Sequence, residues 1–157
     1  MSQPRERTRL RRVAPAPIAL VVACLAVAPA AASELPAPFV DAYLAAQASL
    51  AGDSTQGLAA HARAMAAAAA PLGEKAAALA AAARTLEAAA DITGARVAFG
   101  ELNDALNAYM DATGTTLGAG LRLAFCPMAS KTWLQKEKEI RNPYYGSSML
   151  TCGTFRK

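Results

Sequence analysis

Residues 58–90 read LAAHARAMAAAAAPLGEKAAALAAAARTLEAAA, and their reading decides the fold. The large apolar residues recur three, four or seven positions apart among alanines. Leu58, His61, Met65 and Ala69 share one helical side, and Leu72, Ala76, Leu79, Ala83, Leu86 and Ala90 share another. That period is helical, and alanine has the highest helix propensity. Pro71 divides the stretch into two helices. Upstream, Pro36 and Pro38 precede Phe39, Tyr43, Ala46 and Leu50, again one face of a helix, and Gly52 stops it. Asp53 and Gln56 stand at capping-box spacing for the helix that follows. Downstream, Asp91 and Thr93 are N-cap candidates for a fourth helix whose stripe is Ile92, Phe99, Leu102, Leu106 and Tyr109 or Met110, ending at Gly114. Short connections between such helices predict an all-α, up-and-down bundle of about four helices over residues 34–120. Each alanine buries little area, so the few large residues supply most of the apolar burial.

The bundle is preceded by a segment of another kind. Five arginines lie between Arg5 and Arg12, an apolar run of ten extends from Ile18 to Val27, Pro29 breaks it, and Ala30 to Ala32 offer small residues before Ser33. That order predicts a secretory signal over residues 1–33 and a periplasmic location. The run falls short of the ~20 apolar residues that a spanning helix needs. Val21-Val22-Ala23-Cys24 also fits a lipobox, and cleavage there gives a lipoprotein anchored through Cys24; otherwise no membrane insertion is expected. The whole chain has a formal net charge of +4. Without residues 1–33, 11 basic residues face 11 acidic ones, which removes the main support for nucleic-acid binding.

Of the 42 alanines none lies beyond Ala129, and the tail, residues 121–157, holds the candidate chemistry. It is expected to be mostly irregular and packed on the bundle as one domain with it, with Leu121 to Phe125 as a short strand. Cys126-Pro127-Met128 and Met149-Leu-Thr-Cys152 flank a loop that carries Trp133 and Asn142-Pro143-Tyr144-Tyr145-Gly146. Thiolates and thioethers are soft donors that select Cu(I), and the four sulfurs of Cys126, Met128, Met149 and Cys152 suit one such ion, with Trp133 as a shield against water. Seven basic residues against two acidic ones in the tail favour thiolates. The alternative is a Cys126–Cys152 disulfide, the ordinary outcome for two cysteines in an oxidising compartment, with both methionines as packing residues. Either reading requires the two cysteines to lie close together. His61, the single histidine, reads as a bundle-edge residue, Met65 and Met110 as core, and the Lys136 to Glu139 run as a solvated face. No nucleophile has a base beside it and no glycine-rich phosphate loop is present, so no catalytic residue and no enzyme activity are expected.

The tail, from Cys126-Pro-Met128 through Trp133-Leu, Glu137 to Ile140 and Asn142-Pro-Tyr144-Tyr-Gly146 to Met149-x-x-Cys152-Gly153, resembles a small bacterial domain family of unassigned function. That family occurs as exported proteins and attached to periplasmic adaptor subunits of copper and heavy-metal efflux systems of the CusB type. The resemblance extends over residues 40–153, by pattern alone in the helices. It implies a helical domain, a copper or heavy-metal role, heavy-metal efflux or copper-handling partners, and Cys126, Met128, Met149 and Cys152 as ligands. The Met128-to-Trp133 spacer is shorter than the family pattern.

Overall fold

The computed structural model describes residues 33–156. Residues 1–32 of the segment expected to be an export signal, Cys24 among them, lie outside the described residues. Four helices follow in chain order, α1 (Ala37–Ala51), α2 (Leu58–Ala69), α3 (Ala77–Glu87) and α4 (Ile92–Thr113), each packed on the next. The tail forms three strands, β1 (Arg122–Cys126), β2 (Lys131–Gln135) and β3 (Thr154–Phe155), in one antiparallel sheet of order β2-β1-β3. The fold is therefore mixed, helices plus a small sheet, and the all-α expectation with a mostly irregular tail is corrected. The strand foreseen at Leu121 to Phe125 is real, one residue later, but it has two partners.

The helices end for local reasons. Asp91 caps α4 by accepting the Gly94 N–H at 2.8 Å, and Gly114 closes it with φ 68°. Ala70–Leu72, which contains Pro71, tightens the end of α2 into a 3-10 turn. The capping box at Asp53 and Gln56 does not form. Gly57, at φ 74°, precedes α2 without a side-chain cap. Asp53 instead reaches 94 residues along the chain, accepting the Ser147 N–H at 2.9 Å.

One core unites helices and tail. Leu50, Leu58, Met65, Leu79, Leu86, Leu102 and Leu106 fill the spaces that the alanines leave between the helices. Ala124, Cys126, Trp133, Leu134 and Tyr144 continue the same cluster. A column of rings joins the two parts: Phe39 to Tyr43, Tyr43 to Phe99, Phe99 to Tyr144 and Tyr144 to Trp133, with centroids 6.3, 5.2, 6.1 and 5.9 Å apart. Such pairs contribute roughly 0.5–1.5 kcal/mol each beyond their burial. Of the candidate ligands, Cys126 belongs to this core itself.

Candidate functional site

β1 and β2 pair from Arg122 opposite Gln135 to Cys126 opposite Lys131, leaving a four-residue loop, 127–130. Pro127 starts that loop and the Ser130 N–H returns to the Pro127 carbonyl at 3.3 Å. Ser130 closes it in the left-handed region at φ 51°. On the other side of β1, Ala124 faces Phe155 and Phe125 faces Thr154, so the antiparallel run brings Cys152 and Gly153 alongside Cys126.

Three buried polar side chains hold this arrangement. Asn142, fully buried, donates through Nδ2 to the Cys152 carbonyl at 2.8 Å and accepts the Tyr144 N–H on Oδ1 at 2.8 Å. Its own N–H donates to the Leu150 carbonyl at 2.7 Å, and its carbonyl accepts the Gly146 N–H at 3.2 Å. Asn142 thus fixes the backbone on both sides of the turn and sets where Cys152 stands. Gln135, also fully buried, accepts from Trp133 Nε1 at 2.9 Å and the Arg141 N–H at 3.1 Å. It donates to the Glu139 carbonyl at 2.6 Å, so the charged loop 136–139 hangs from one amide. Tyr43, from α1, accepts the Leu134 N–H at 3.0 Å and donates to Asn103 Oδ1 at 2.5 Å, tying β2 to α1 and α4. Burial raises the Tyr43 and Tyr144 hydroxyls above the ordinary tyrosine range. Both therefore serve as neutral hydrogen-bonding groups.

A second clamp lies at Gly146. Arg96 donates to the carbonyls of Leu50 and Pro143, each at 3.1 Å, and pairs with Asp53 at 2.5 Å. Hydrogen bonds from Ser147 and Arg96 lower the Asp53 carboxyl to about 2. Gly146 has φ 55°, and a Cβ there would stand 2.6 Å from Asp53 Cγ. Only glycine leaves room for this ion pair.

At the sulfurs themselves, Cys126 is fully buried and Cys152 half-buried, and the Cys126 thiol neighbours that of Cys152. Both are free thiols. The Ala129 N–H donates to Cys126 Sγ at 3.5 Å, a consequence of the tight 127–130 loop. Desolvation, followed by the neighbouring Cys126 thiol, raises the Cys152 thiol above its ordinary range. The thiolate expected from the basic composition of the tail is therefore not built in at Cys152. Three of its basic side chains are engaged elsewhere: the Arg156 guanidinium lies 4.0 Å from the Phe125 ring centre, that of Arg122 5.4 Å from Phe155, and Lys131 pairs with Asp104.

The two methionines stand apart from the core. Met128, on the β1–β2 loop, is 64% exposed. Met149 is half-buried and lies outside the set of apolar residues packed on the core. Its carbonyl accepts the Cys152 N–H at 2.9 Å, so it begins the turn that delivers Cys152. Met65 and Met110, by contrast, pack in the core. Trp133 is fully buried, and a Cβ on Gly153 would lie 2.8 Å from its ring edge. The indole thus packs on the residue after Cys152, beside the thiol pair. His61 sits half-buried above Gly57, away from the cysteines. Among the described residues no three His, Cys, Asp or Glu side chains cluster as metal ligands, so a soft ion at this place depends on the methionines.

One feature had no sequence signal. A cleft of about 460 Å³ opens between α4 and the tail, lined among others by Arg96, Val97, Gly100, Ala129, Lys131 and Tyr145. Val97 and Met128, the two exposed large apolar residues among the described residues, lie at this cleft and on the loop that walls it. No helix among the described residues is long and apolar enough to cross a membrane. Comparison with protein-family models, with curated proteins and with solved structures finds no significant match to the chain.

Proposed function

We propose that the chain is an exported soft-metal protein whose reduced tail binds one Cu(I) through Cys126, Cys152, Met128 and Met149. It would serve in the periplasm as a buffer, a chaperone or an accessory to heavy-metal efflux. The observation that carries this reading is the contrast between sulfurs. Two thiols are brought within reach of each other, whereas the two methionines nearest them in sequence are left out of the core. A thioether as exposed as that of Met128 is free to be a ligand, and the disulfide alternative gives Met128 no role as a packing residue. Two thiolates and two thioethers suit Cu(I) far better than Zn(II), which takes nitrogen, oxygen and thiolate donors. Binding releases the thiol protons to solvent.

A second reading draws on the same contact between thiols. Oxidised, Cys126 and Cys152 would staple the start and end of the tail, and the domain would act as an interaction module without metal. Competition for Cu(I) against a chromophoric chelator separates the two. Reduced wild type should withdraw the ion from the chelator, either cysteine-to-serine variant should fail to, and Met128→Ala or Met149→Ala should compete more weakly. If reduced wild type competes no better than the Cys126→Ser/Cys152→Ser double variant, the copper reading is wrong and the stapled module replaces it.

A further inference from the structure

We propose that Cys152 is the site at which an external low-molecular-weight disulfide enters the molecule, and that Cys126 is the buried thiol that resolves the adduct. This rests on the stapled reading of the thiol pair, not on the copper reading. The two sulfurs are neighbours with unequal access. Cys126 ends β1, the central strand between β2 and β3, and is fully buried in the core. Cys152 lies in the turn before β3, half-buried at the edge of that core. Thiol and disulfide have to meet with the attacking sulfur in line with the bond that breaks, so a sulfur with no exposed surface is out of reach while the domain is folded. The half-burial of Cys152 favours a small disulfide over one carried on a protein surface.

The backbone keeps the two together. Phe125 pairs with Thr154, which brings the chain around Gly153 beside Cys126. Gly153 has φ 145°, and a Cβ there would stand 2.8 Å from Trp133 Cη2 and 3.0 Å from the Phe125 carbonyl. Glycine alone permits that approach. Asn142 Nδ2 holds the Cys152 carbonyl at 2.8 Å, and the Cys152 N–H donates to the Met149 carbonyl at 2.9 Å. Cys152 is thus fixed through its own backbone on both sides, with its thiol next to that of Cys126.

The chemistry is two successive exchanges. Cys152 gives its proton to solvent, and the thiolate attacks one sulfur of R–S–S–R. That bond breaks, one R–S⁻ leaves and takes up a proton, and Cys152 carries the mixed disulfide. Cys126 then attacks the Cys152 sulfur as a thiolate and expels the second R–S⁻. The cysteine pair loses two electrons and two protons, and the external disulfide gains them as two thiols. Desolvation holds the Cys152 thiol above its ordinary range, which slows the first step at neutral pH but leaves unchanged which sulfur is met first.

The test uses the full exported protein, reduced and with copper withheld, glutathione disulfide as the probe and mass spectrometry as the readout. Wild type should end as the intramolecular disulfide, two hydrogens lighter and carrying no glutathione. Cys126→Ala, which keeps an apolar side chain in the core, should stop at one glutathione on Cys152. Cys152→Ala should react at least about tenfold more slowly while folded, and at the rate of Cys126→Ala once both are unfolded in urea. Brief iodoacetamide labelling of reduced wild type needs no variant and should mark Cys152 well before Cys126. The proposal is overturned if Cys126 is labelled as fast as Cys152, or if glutathione disulfide leaves Cys152 unreacted. If wild type keeps glutathione on Cys152 and never forms the internal bond, resolution by Cys126 and the stapled reading fall together. If the internal bond forms but Cys126 is the first sulfur labelled, the stapled reading stands and this proposal alone falls.

Discussion

Replacing Asn142 by alanine tests how the tail is held. The Asn142 side chain is fully buried and makes two hydrogen bonds, to the Cys152 carbonyl and from the Tyr144 N–H, both at 2.8 Å. Alanine leaves both backbone groups without that partner, in a region where water has little access. An unsatisfied buried polar group costs about 1–3 kcal/mol, so the pair amounts to roughly 2–6 kcal/mol. That is a large part of the ~5–15 kcal/mol by which domains are stable. With a urea slope of about 2 kcal/mol/M, the midpoint should fall by about 1–3 M. Because the lost bond also positions Cys152, the folded variant should compete for Cu(I) less well than wild type at low urea. A midpoint within about 0.3 M of wild type, at unchanged slope, would refute the assignment of Asn142 as the organising residue of the turn.

Asp53→Asn should remove part of the acid sensitivity. The carboxyl sits at about 2 in the folded chain against roughly 3.9 unfolded, so its contribution is complete above about pH 4 and lost as pH falls toward 2. Acid titrations of both proteins by circular dichroism should show wild type losing stability over that window and the variant losing less of it, from a lower starting point. Tyr43→Phe removes the acceptor of the Leu134 N–H and should lower stability by about 1–3 kcal/mol, read from urea denaturation, with the helical content unchanged at low denaturant. Cu(I) affinity should rise with pH across the neutral range, because the Cys152 thiol is held above its ordinary range and gives up its proton on binding. Chelator competitions at several pH values should steepen toward about tenfold per pH unit for each proton released.

The helices were legible because their signal is local. Leucines, aromatics and methionines at helical spacing among alanines, with Pro71, Asp91 and Gly114 as punctuation, suffice to define them. The sheet was hidden. In β1, Ala124 and Cys126 point inward, but Phe125 on the other face is half-covered by Arg156, so polar alternation is weak. In β2, Trp133, Leu134 and Gln135 are all buried, which erases the period of two. Asp53 was misread because the capping-box pattern is local, whereas its partners Arg96 and Ser147 lie 43 and 94 residues away. The proximity of Cys126 and Cys152 followed from what either a disulfide or a shared metal demands. The exposure of Met128 depends on a hairpin that no spacing rule disclosed. The roles of Asn142 and Gln135 are similarly tertiary, since a buried amide looks like any other loop polar residue until its partners are known.

The atoms bonded to the metal test the central claim most directly. X-ray absorption at the copper edge of the reduced, Cu(I)-loaded protein should give a first shell of sulfur alone, with fewer sulfurs in Met128→Ala. A shell containing nitrogen or oxygen, or a spectrum unchanged in the Cys126→Ser/Cys152→Ser double variant, would contradict a site built from Cys126, Met128, Met149 and Cys152.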